Sequence, residues 1–215
     1  MYSHKIALFG TPDEVSHRLL AEALKRGHTV TAIVPDKNQF QIKHPNLKVV
    51  KGDVKKKTDV NQYATGHDTV ICAHEPAKND PHEHVGIVHS VLEGVKDAGV
   101  NNVLFTGHPV GIPVENTEEF YNSYKPIIAV QRKALDILHN ERQLHWGYTH
   151  SVEPEKTDLQ PGRSPKYSYS SEILFAHPEE ENRIPVKEYA SAIIDEAEKG
   201  EMELHEHGDE SEREY

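Results

Sequence analysis

The chain has 215 residues, with 24 Lys and Arg against 35 Asp and Glu, so its formal charge is −11. This length predicts one domain with a real hydrophobic core. The negative charge argues against direct contact with nucleic acid or a membrane surface, since both need clustered positive charge. A single cysteine excludes a disulfide framework and a cysteine-built metal site. No apolar stretch approaches the ~20 residues that span a bilayer, and the run 6–10 is too short for a signal peptide, so we expect a cytoplasmic protein.

Short apolar runs alternate with amphipathic stretches along the chain. Six runs are predicted strands: 5–9, 29–34, 47–51, 68–73, 102–106 and 145–149. Five stretches with apolar residues at helical spacing are predicted helices: 14–26, 59–64, 83–98, 127–142 and 186–199. Residues 107–125 are a predicted loop, 166–175 a possible hairpin, and 202–207 a short closing strand. Trp146 and Tyr148 are expected to pack within the sheet.

Strands that alternate with helices predict an α/β fold, a Rossmann-like doubly wound sheet that is mostly parallel. We expect a single domain over residues 1–207, with a small C-terminal extension, the acidic tail 208–215. In a sheet of this kind, the carboxyl ends of the first and fourth strands border a crevice that takes the ligand.

The turn after the first predicted strand reads Gly10-Thr11-Pro12-Asp13-Glu14 and continues with Val15 and Ser16. A dinucleotide-binding turn needs glycines for a tight turn and for close approach of the backbone to a pyrophosphate. Only Gly10 remains here.

Five stretches in a fixed order resemble one family: residues 5–10, 26–34, 49–54, 66–71 and 184–190, which read KIALFG, RGHTVTAIV, VVKGDV, GHDTVI and IPVKEYA. The chain resembles the atypical short-chain dehydrogenases/reductases, which include NADH-flavin reductase-like and NmrA-like proteins. The resemblance implies NAD or NADP as cofactor, and hydride transfer to a small planar acceptor such as a flavin or quinone. The alternative is a non-catalytic, NmrA-like protein that senses a ligand or contacts a partner. Either would take a small-molecule ligand and exist as a monomer or homodimer.

The resemblance also indicates which residues would hold the cofactor. These are Gly10, Thr11, Pro12, Asp13, Lys37, Asp53, Ala73, His74, Gly107 and His108. The family's glycine turn has Asp13 and Ser16 in place of its second and third glycines. The basic residue that usually follows the second strand is Pro35, with Lys37 nearby. Asp53 either faces the adenine or caps the turn after the third strand.

The residues of the first turn also favour capping of the first helix by its own side chains. Thr11 is the predicted N-cap, Pro12 the first helical residue and Glu14 the partner of a capping box. Asp13 and Glu14 place negative charge where a pyrophosphate would bind. The sequence therefore predicts a self-capped turn and a weakened dinucleotide site.

Tyr121 and Lys125 form a Tyr-x-x-x-Lys pattern, the acid/base pair of the reductases, which requires both residues on one helical face. Pro126 argues that the pair precedes the next helix, because proline favours the first helical turn. The alternative for Tyr121 is a loop residue at the rim of the crevice.

The histidine pairs at 82 and 84 and at 205 and 207 have the appearance of metal-binding fragments. Residues two apart share a face only on a strand, and no third ligand is fixed by spacing. We therefore expect exposed surface histidines and no metal site. Cys72 is expected to be a small buried residue rather than a nucleophile.

Overall fold

The computed structural model describes residues 3–10, 13–39, 42–74, 80, 82–107, 118–150, 167–170, 173–176 and 186–199. Within these residues, six parallel strands form one sheet in the order β3-β2-β1-β4-β5-β6. Their bounds are β1 Lys5–Gly10, β2 Thr29–Val34, β3 Leu47–Lys51, β4 Thr69–Ala73, β5 Asn102–Gly107 and β6 His145–His150. This order confirms the predicted Rossmann-like α/β fold.

The helices cover both faces of the sheet because successive side chains of each strand point to opposite faces. Their bounds are α1 Glu14–Lys25, α2 Lys57–Ala64, α3 Glu83–Asp97, α4 Glu118–His139 and α5 Val186–Glu198. Ile6 and Leu8 of β1 join the core formed with α1 and α5. Ala7 and Phe9 join the core formed with α2, α3 and α4. Each face therefore has its own apolar core, and the sheet is buried between them.

A salt-bridge cluster joins the end of α1 to the end of α5 at the amino-terminal edge of the sheet. The Arg26 guanidinium contacts Asp195 Oδ1 at 2.6 Å and Glu22 Oε1 at 2.9 Å, and its side chain is 18% exposed. These carboxylates raise the pKa of Arg26 against the opposing effect of burial. Next to this cluster, His28 Nε2 lies 2.8 Å from Glu198 Oε1, and the amide of His4 donates to His28 Nδ1.

The fourth helix differs from its prediction. It begins at Glu118 rather than at residue 127, and Pro126 lies inside it. The exposed ring of Pro126 is tolerated there, although proline removes one helical hydrogen bond. The predicted loop 107–125 is therefore wrong at both ends, since Gly107 belongs to β5 and residues 118–125 are helical.

Two short antiparallel strands, β7 Tyr167–Ser170 and β8 Ile173–Ala176, confirm the predicted hairpin. Trp146 and Tyr148 are 9% and 0% exposed, as expected for sheet packing. The predicted strand 202–207 and the tail 208–215 lie outside the described residues. None of the described helices has the length and apolarity that a membrane span requires.

Candidate functional site

The order in which the chain adds strands to the sheet reverses between β1 and β4. These two strands are hydrogen-bonded neighbours, with Gly10 opposite Ala73. β1 continues outward to β2 and β3, whereas β4 continues to β5 and β6 in the other direction. In open α/β sheets, ligands bind outside the carboxyl ends of the strands at this switch point. The candidate site is therefore the edge of the sheet that holds Gly10 and Ala73.

Gly10 ends β1 in close contact with the start of α1. A Cβ atom added at Gly10 would lie 2.5 Å from Ser16 Oγ, a separation that folded proteins do not tolerate without a shift. Ser16 is 1% exposed, and its Oγ has no hydrogen-bond partner in the described part of the chain. The close approach of helix and strand that the glycine motif normally provides is therefore present here, with Gly10 and Ser16 as the two contacting residues.

The first helix is capped by Asp13. The Asp13 backbone is extended, with φ −100° and ψ 175°, and its carboxylate accepts a 2.7 Å hydrogen bond from the amide of Ser16. The predicted N-cap is wrong in register, because α1 begins at Glu14 and not at residue 12. Asp13 is the N-cap, since its side chain supplies the acceptor for an amide of the first turn. Thr11 and Pro12 lie outside the described residues. The prediction that a side chain of the turn caps this helix is nevertheless confirmed.

The Asp13 cap changes the electrostatics of the helix start. The first turn of a helix carries partial positive charge and free amides that favour an anion. Here a carboxylate of the protein itself takes one of those amides, that of Ser16. A bound pyrophosphate at this position would have to share the helix terminus with that carboxylate.

The segment after β2 carries one acidic and one basic residue. The amide of Asn38 donates to Asp36 Oδ1 at 3.0 Å, which fixes the Asp36 carboxylate in a turn. Lys37 begins the short 3-10 helix Lys37–Gln39, and its side chain is exposed. In dinucleotide-binding folds, a carboxylate after this strand contacts the ribose 2′-hydroxyl, whereas a basic group accommodates a 2′-phosphate.

Asp53 has a local role in the turn after β3. Its Oδ1 accepts a 3.0 Å hydrogen bond from the amide of Lys55, and its own amide donates to Asp59 Oδ2 at 2.9 Å. This is the turn-capping alternative of the sequence analysis, at a residue that remains half-buried.

The end of β4 forms the floor of the candidate site. Ala73 is 2% exposed, and His74 follows it as a half-buried residue. Cys72 is buried, and burial raises the pKa of its thiol to about 12, so it remains protonated. Cys72 is therefore a packing residue, as expected.

A buried polar cluster that the sequence pattern did not predict lies beside this floor. His84, in the first turn of α3, is 1% exposed, so its prediction as a surface histidine is wrong. Its ring is nearly parallel to that of His74, with ring centroids 6.4 Å apart, and its Nε2 lies 3.3 Å from the Tyr148 hydroxyl. Gln131 of α4 also hydrogen-bonds Tyr148.

The apolar stripe of α3 is the sequence feature that indicates the burial of His84. Val88, Val91 and Val95 are buried, and position 84 continues their stripe one turn toward the N-terminus. His82, by contrast, is exposed. Within the described ranges, no three histidine, cysteine or carboxylate side chains are grouped so as to hold a metal ion.

Tyr121 and Lys125 both lie inside α4. The expectation that Pro126 would leave the pair ahead of the helix is wrong, because the helix begins eight residues before that proline. The two residues therefore have the i, i+4 spacing that the reductase acid/base pair requires. Gly107 ends β5, and His108 lies outside the described residues.

Comparison with known proteins agrees with this geometry. The sequence model of a family described as NAD(P)H-binding matches residues 14–198. The uncharacterized protein YwnB of Bacillus subtilis is 26% identical over 205 residues, which cover 90% of this chain and 92% of YwnB.

Two solved structures extend the comparison. A Bacteroides thetaiotaomicron protein described as a candidate epimerase is 30% identical, with a TM-score of 0.70 and 92% of each chain covered. A Veillonella parvula short-chain dehydrogenase/reductase in complex with NADP is 16% identical, with a TM-score of 0.68, 94% of this chain and 90% of that chain covered. At this low identity, the similarity to the Veillonella parvula protein shows a shared fold alone. Because the family match spans most of the chain, this protein belongs to the NAD(P)H-binding family of Rossmann-fold proteins.

Proposed function

We propose that the protein is an NAD(P)H-dependent oxidoreductase that acts on a small planar acceptor of the flavin or quinone type. The observation that carries this proposal is the position of Tyr121 and Lys125 within one helix, four residues apart. In this spacing a lysine lowers the pKa of a tyrosine and holds a ribose, and the tyrosine donates a proton to the acceptor. The family match supports the nicotinamide cofactor.

The described residues at the switch point fit a dinucleotide. Gly10 has no room for a side chain, and the unpartnered Ser16 Oγ faces it at the contact of strand and helix. We infer that Gly10 and the start of α1 would hold the diphosphate, while Ala73 and His74 would border the nicotinamide half. When bound, the reduced nicotinamide supplies the hydride, and the protein supplies position and polarity.

We further infer a preference for NAD over NADP. Asp36 places a fixed carboxylate after β2, where it would hydrogen-bond a ribose 2′-hydroxyl and repel a 2′-phosphate. Pro35 occupies the place of the usual basic residue, and the exposed side chain of Lys37 is the nearby cation in the sequence.

The second candidate is the non-catalytic, NmrA-like protein that senses a ligand or contacts a partner. The Asp13 carboxylate favours it, because a negative charge at the start of α1 opposes the binding of a diphosphate.

Titration with NADH and NADPH, followed by the melting temperature, tests the choice between these two functions. A ligand at about 100 times its dissociation constant should stabilise the protein by about 2.7 kcal/mol. We expect a shift with both cofactors and a larger one with NADH. The absence of a shift at millimolar concentration of either cofactor would overturn the reductase proposal.

A matched pair of variants then tests the acid/base residue. Tyr121→Phe should retain NADH binding and lose most NADH-dependent reduction of a quinone, because only the hydroxyl is removed. Tyr124→Phe, in the same helix, is the control and should keep both. Equal turnover in the two variants would remove the catalytic role of Tyr121.

A further inference from the structure

The positive charge of this acidic chain is concentrated at one edge of the sheet. Residues 37–57 contain seven lysines and one aspartate, whereas the whole chain has a formal charge of −11. This segment runs from the 3-10 helix after β2, through β3, to the first residue of α2. A local excess of positive charge in an otherwise acidic protein attracts ligands of negative charge to that place.

Most of these lysines are not neutralised by the protein itself. Those at positions 55–57 contact carboxylates of α3 or of the turn after β3. The other four are exposed and have no ion pair within the described part of the chain: Lys37, Lys43, Lys48 and Lys51. Their charge is therefore available to a binding partner.

The strand at the centre of this segment is the last of the sheet. Within the described ranges β3 pairs with β2 alone, through bonds that include the Asn46 carbonyl and the Gly52 amide. Because alternate residues of a strand direct their N–H and C=O groups to the same neighbour, the odd-numbered positions 47, 49 and 51 face away from β2.

Some of these outward backbone groups have partners and others do not. The Leu47 amide donates to the His44 carbonyl, and the Lys51 carbonyl accepts a 2.9 Å hydrogen bond from the Tyr63 hydroxyl. The amide and carbonyl of Val49 and the amide of Lys51 have no hydrogen-bond partner among the residues that the structure describes. An edge with such free groups accepts an additional extended strand.

The two lysines of β3 lie on opposite faces of the sheet at this edge. Lys48 shares its face with Val50, which packs in the core beneath α2 and α3. Lys51 shares its face with Leu47 and Val49, which pack against the core beneath α1. A strand added at this edge would therefore have one lysine beside each of its faces.

The charge and the free backbone groups together select the occupant. Two copies of β3 paired with each other would bring their lysines together, and like charges in paired strands are destabilising. A nucleic acid would contact the lysines but leave the backbone groups of the edge without partners, and the net charge of −11 would repel it. An extended acidic peptide satisfies both the lysines and the backbone.

We propose that the outer edge of β3 is a docking surface for an extended acidic segment of a partner protein. The segment pairs with the backbone at Val49 and Lys51 and places one carboxylate beside Lys48 and another beside Lys51. This edge is two strands away from β1, which borders the candidate dinucleotide site. The proposal therefore does not depend on the reductase function.

The test uses a short fluorescein-labelled peptide of threonine, valine and glutamate, whose glutamates are three positions apart and so lie on opposite faces of a strand. Its binding to the full chain is measured by fluorescence polarisation at low salt. We expect saturable binding that weakens as salt is added, because the ion pairs are exposed. A peptide of the same sequence with an N-methylated backbone should not bind, since it lacks the amides that strand pairing requires.

A matched pair of double variants tests the position of the charge. Lys48→Gln with Lys51→Gln should weaken peptide binding by about three- to tenfold, the range for two exposed ion pairs. Lys25→Gln with Lys133→Gln changes the net charge equally at exposed positions of α1 and α4, and should bind within about twofold of wild type.

Hydrogen exchange of the wild-type protein tests the strand pairing without any substitution. Saturating peptide should slow the exchange of the Val49 and Lys51 amides, because both would donate to the added strand.

Five outcomes would overturn the proposal. The first three are no binding of the peptide by wild type, equal binding of the N-methylated peptide, and equal weakening by the two double variants. The fourth is slow exchange of the Val49 and Lys51 amides in the free chain, which would mean that the edge is already paired by this chain or by a second copy. The fifth is tighter binding of a single-stranded oligodeoxynucleotide than of the acidic peptide.

Discussion

Two buried histidines at opposite edges of the sheet differ in the partners of their ring nitrogens. His28, at the amino-terminal edge, is 2% exposed and has a partner at each nitrogen, the amide of His4 and the carboxylate of Glu198. His84, at the carboxyl-terminal edge, is 1% exposed and has a partner only at Nε2 among the described residues. At similar burial, the ring nitrogens of His28 therefore both have partners, whereas one ring nitrogen of His84 has none among the described residues, at the edge that holds the candidate site.

The largest expected effect is the loss of stability in acid that comes from His84. Its folded pKa of about 4 lies below the ordinary value of 6.5, so the unfolded chain takes up the proton first as the pH falls. The contribution of the neutral His84 to the free energy of unfolding is fully present above pH 6.5. It decreases as the pH falls toward 4, by about 3 kcal/mol for this shift in pKa. Urea denaturation at intervals of pH should show this slope, and His84→Gln should flatten it. Superimposable curves for the two proteins would contradict the burial of a neutral ring.

The next effect is expected at the amino-terminal edge. Arg26→Ala removes the contacts to Asp195 and Glu198 that tie the end of α1 to α5, and should lower the free energy of unfolding by about 2 kcal/mol. Lys25→Ala is the matched control, because the Lys25 side chain is 71% exposed, and should cost less than about 0.5 kcal/mol. NADH binding should be the same in both variants. A large binding loss with Arg26→Ala would mean that this edge is not purely structural.

The smallest effect is expected at the first turn. Asparagine caps a helix about as well as aspartate, so Asp13→Asn should preserve the cap on the Ser16 amide and leave stability within about 0.5 kcal/mol. Loss of the negative charge should tighten NADH binding by about three- to tenfold, because the Asp13 carboxylate competes for the helix terminus and repels the diphosphate.

Asp136→Asn provides the control for this prediction. Asp136 is exposed on the later part of α4, and its substitution changes the net charge by the same amount. If both variants bind NADH equally tightly, the effect is one of total charge and not of the Asp13 position.

The inner strands were predictable from the sequence because β1, β2 and β4 are short apolar runs that are buried on both faces. The runs at β2 and β3 have the predicted bounds, 29–34 and 47–51, since Pro35 and Gly52 follow them directly. The strand order follows from right-handed crossovers once these runs are identified.

The errors arose where two local rules competed. Pro126 is compatible with a helix start, but the helix already begins at Glu118 and includes the proline in its first half. At the first turn, Thr11 and Asp13 are both good capping residues, and local sequence alone does not choose between them. At His84, the pattern of paired histidines obscured the apolar stripe that continues through Val88.

The proline inside α4 has a mechanical consequence. Because proline has no amide hydrogen, the backbone carbonyl of Asn122 lacks the helical donor it would otherwise receive from position 126. Beyond that point, Val130, Ala134 and Leu138 anchor the helix in the core. The first two turns of α4, which carry Tyr121 and Lys125, are therefore connected to the buried part of the helix through a turn that lacks one hydrogen bond. Bending the helix at this turn costs about one hydrogen bond less than bending an unbroken helix.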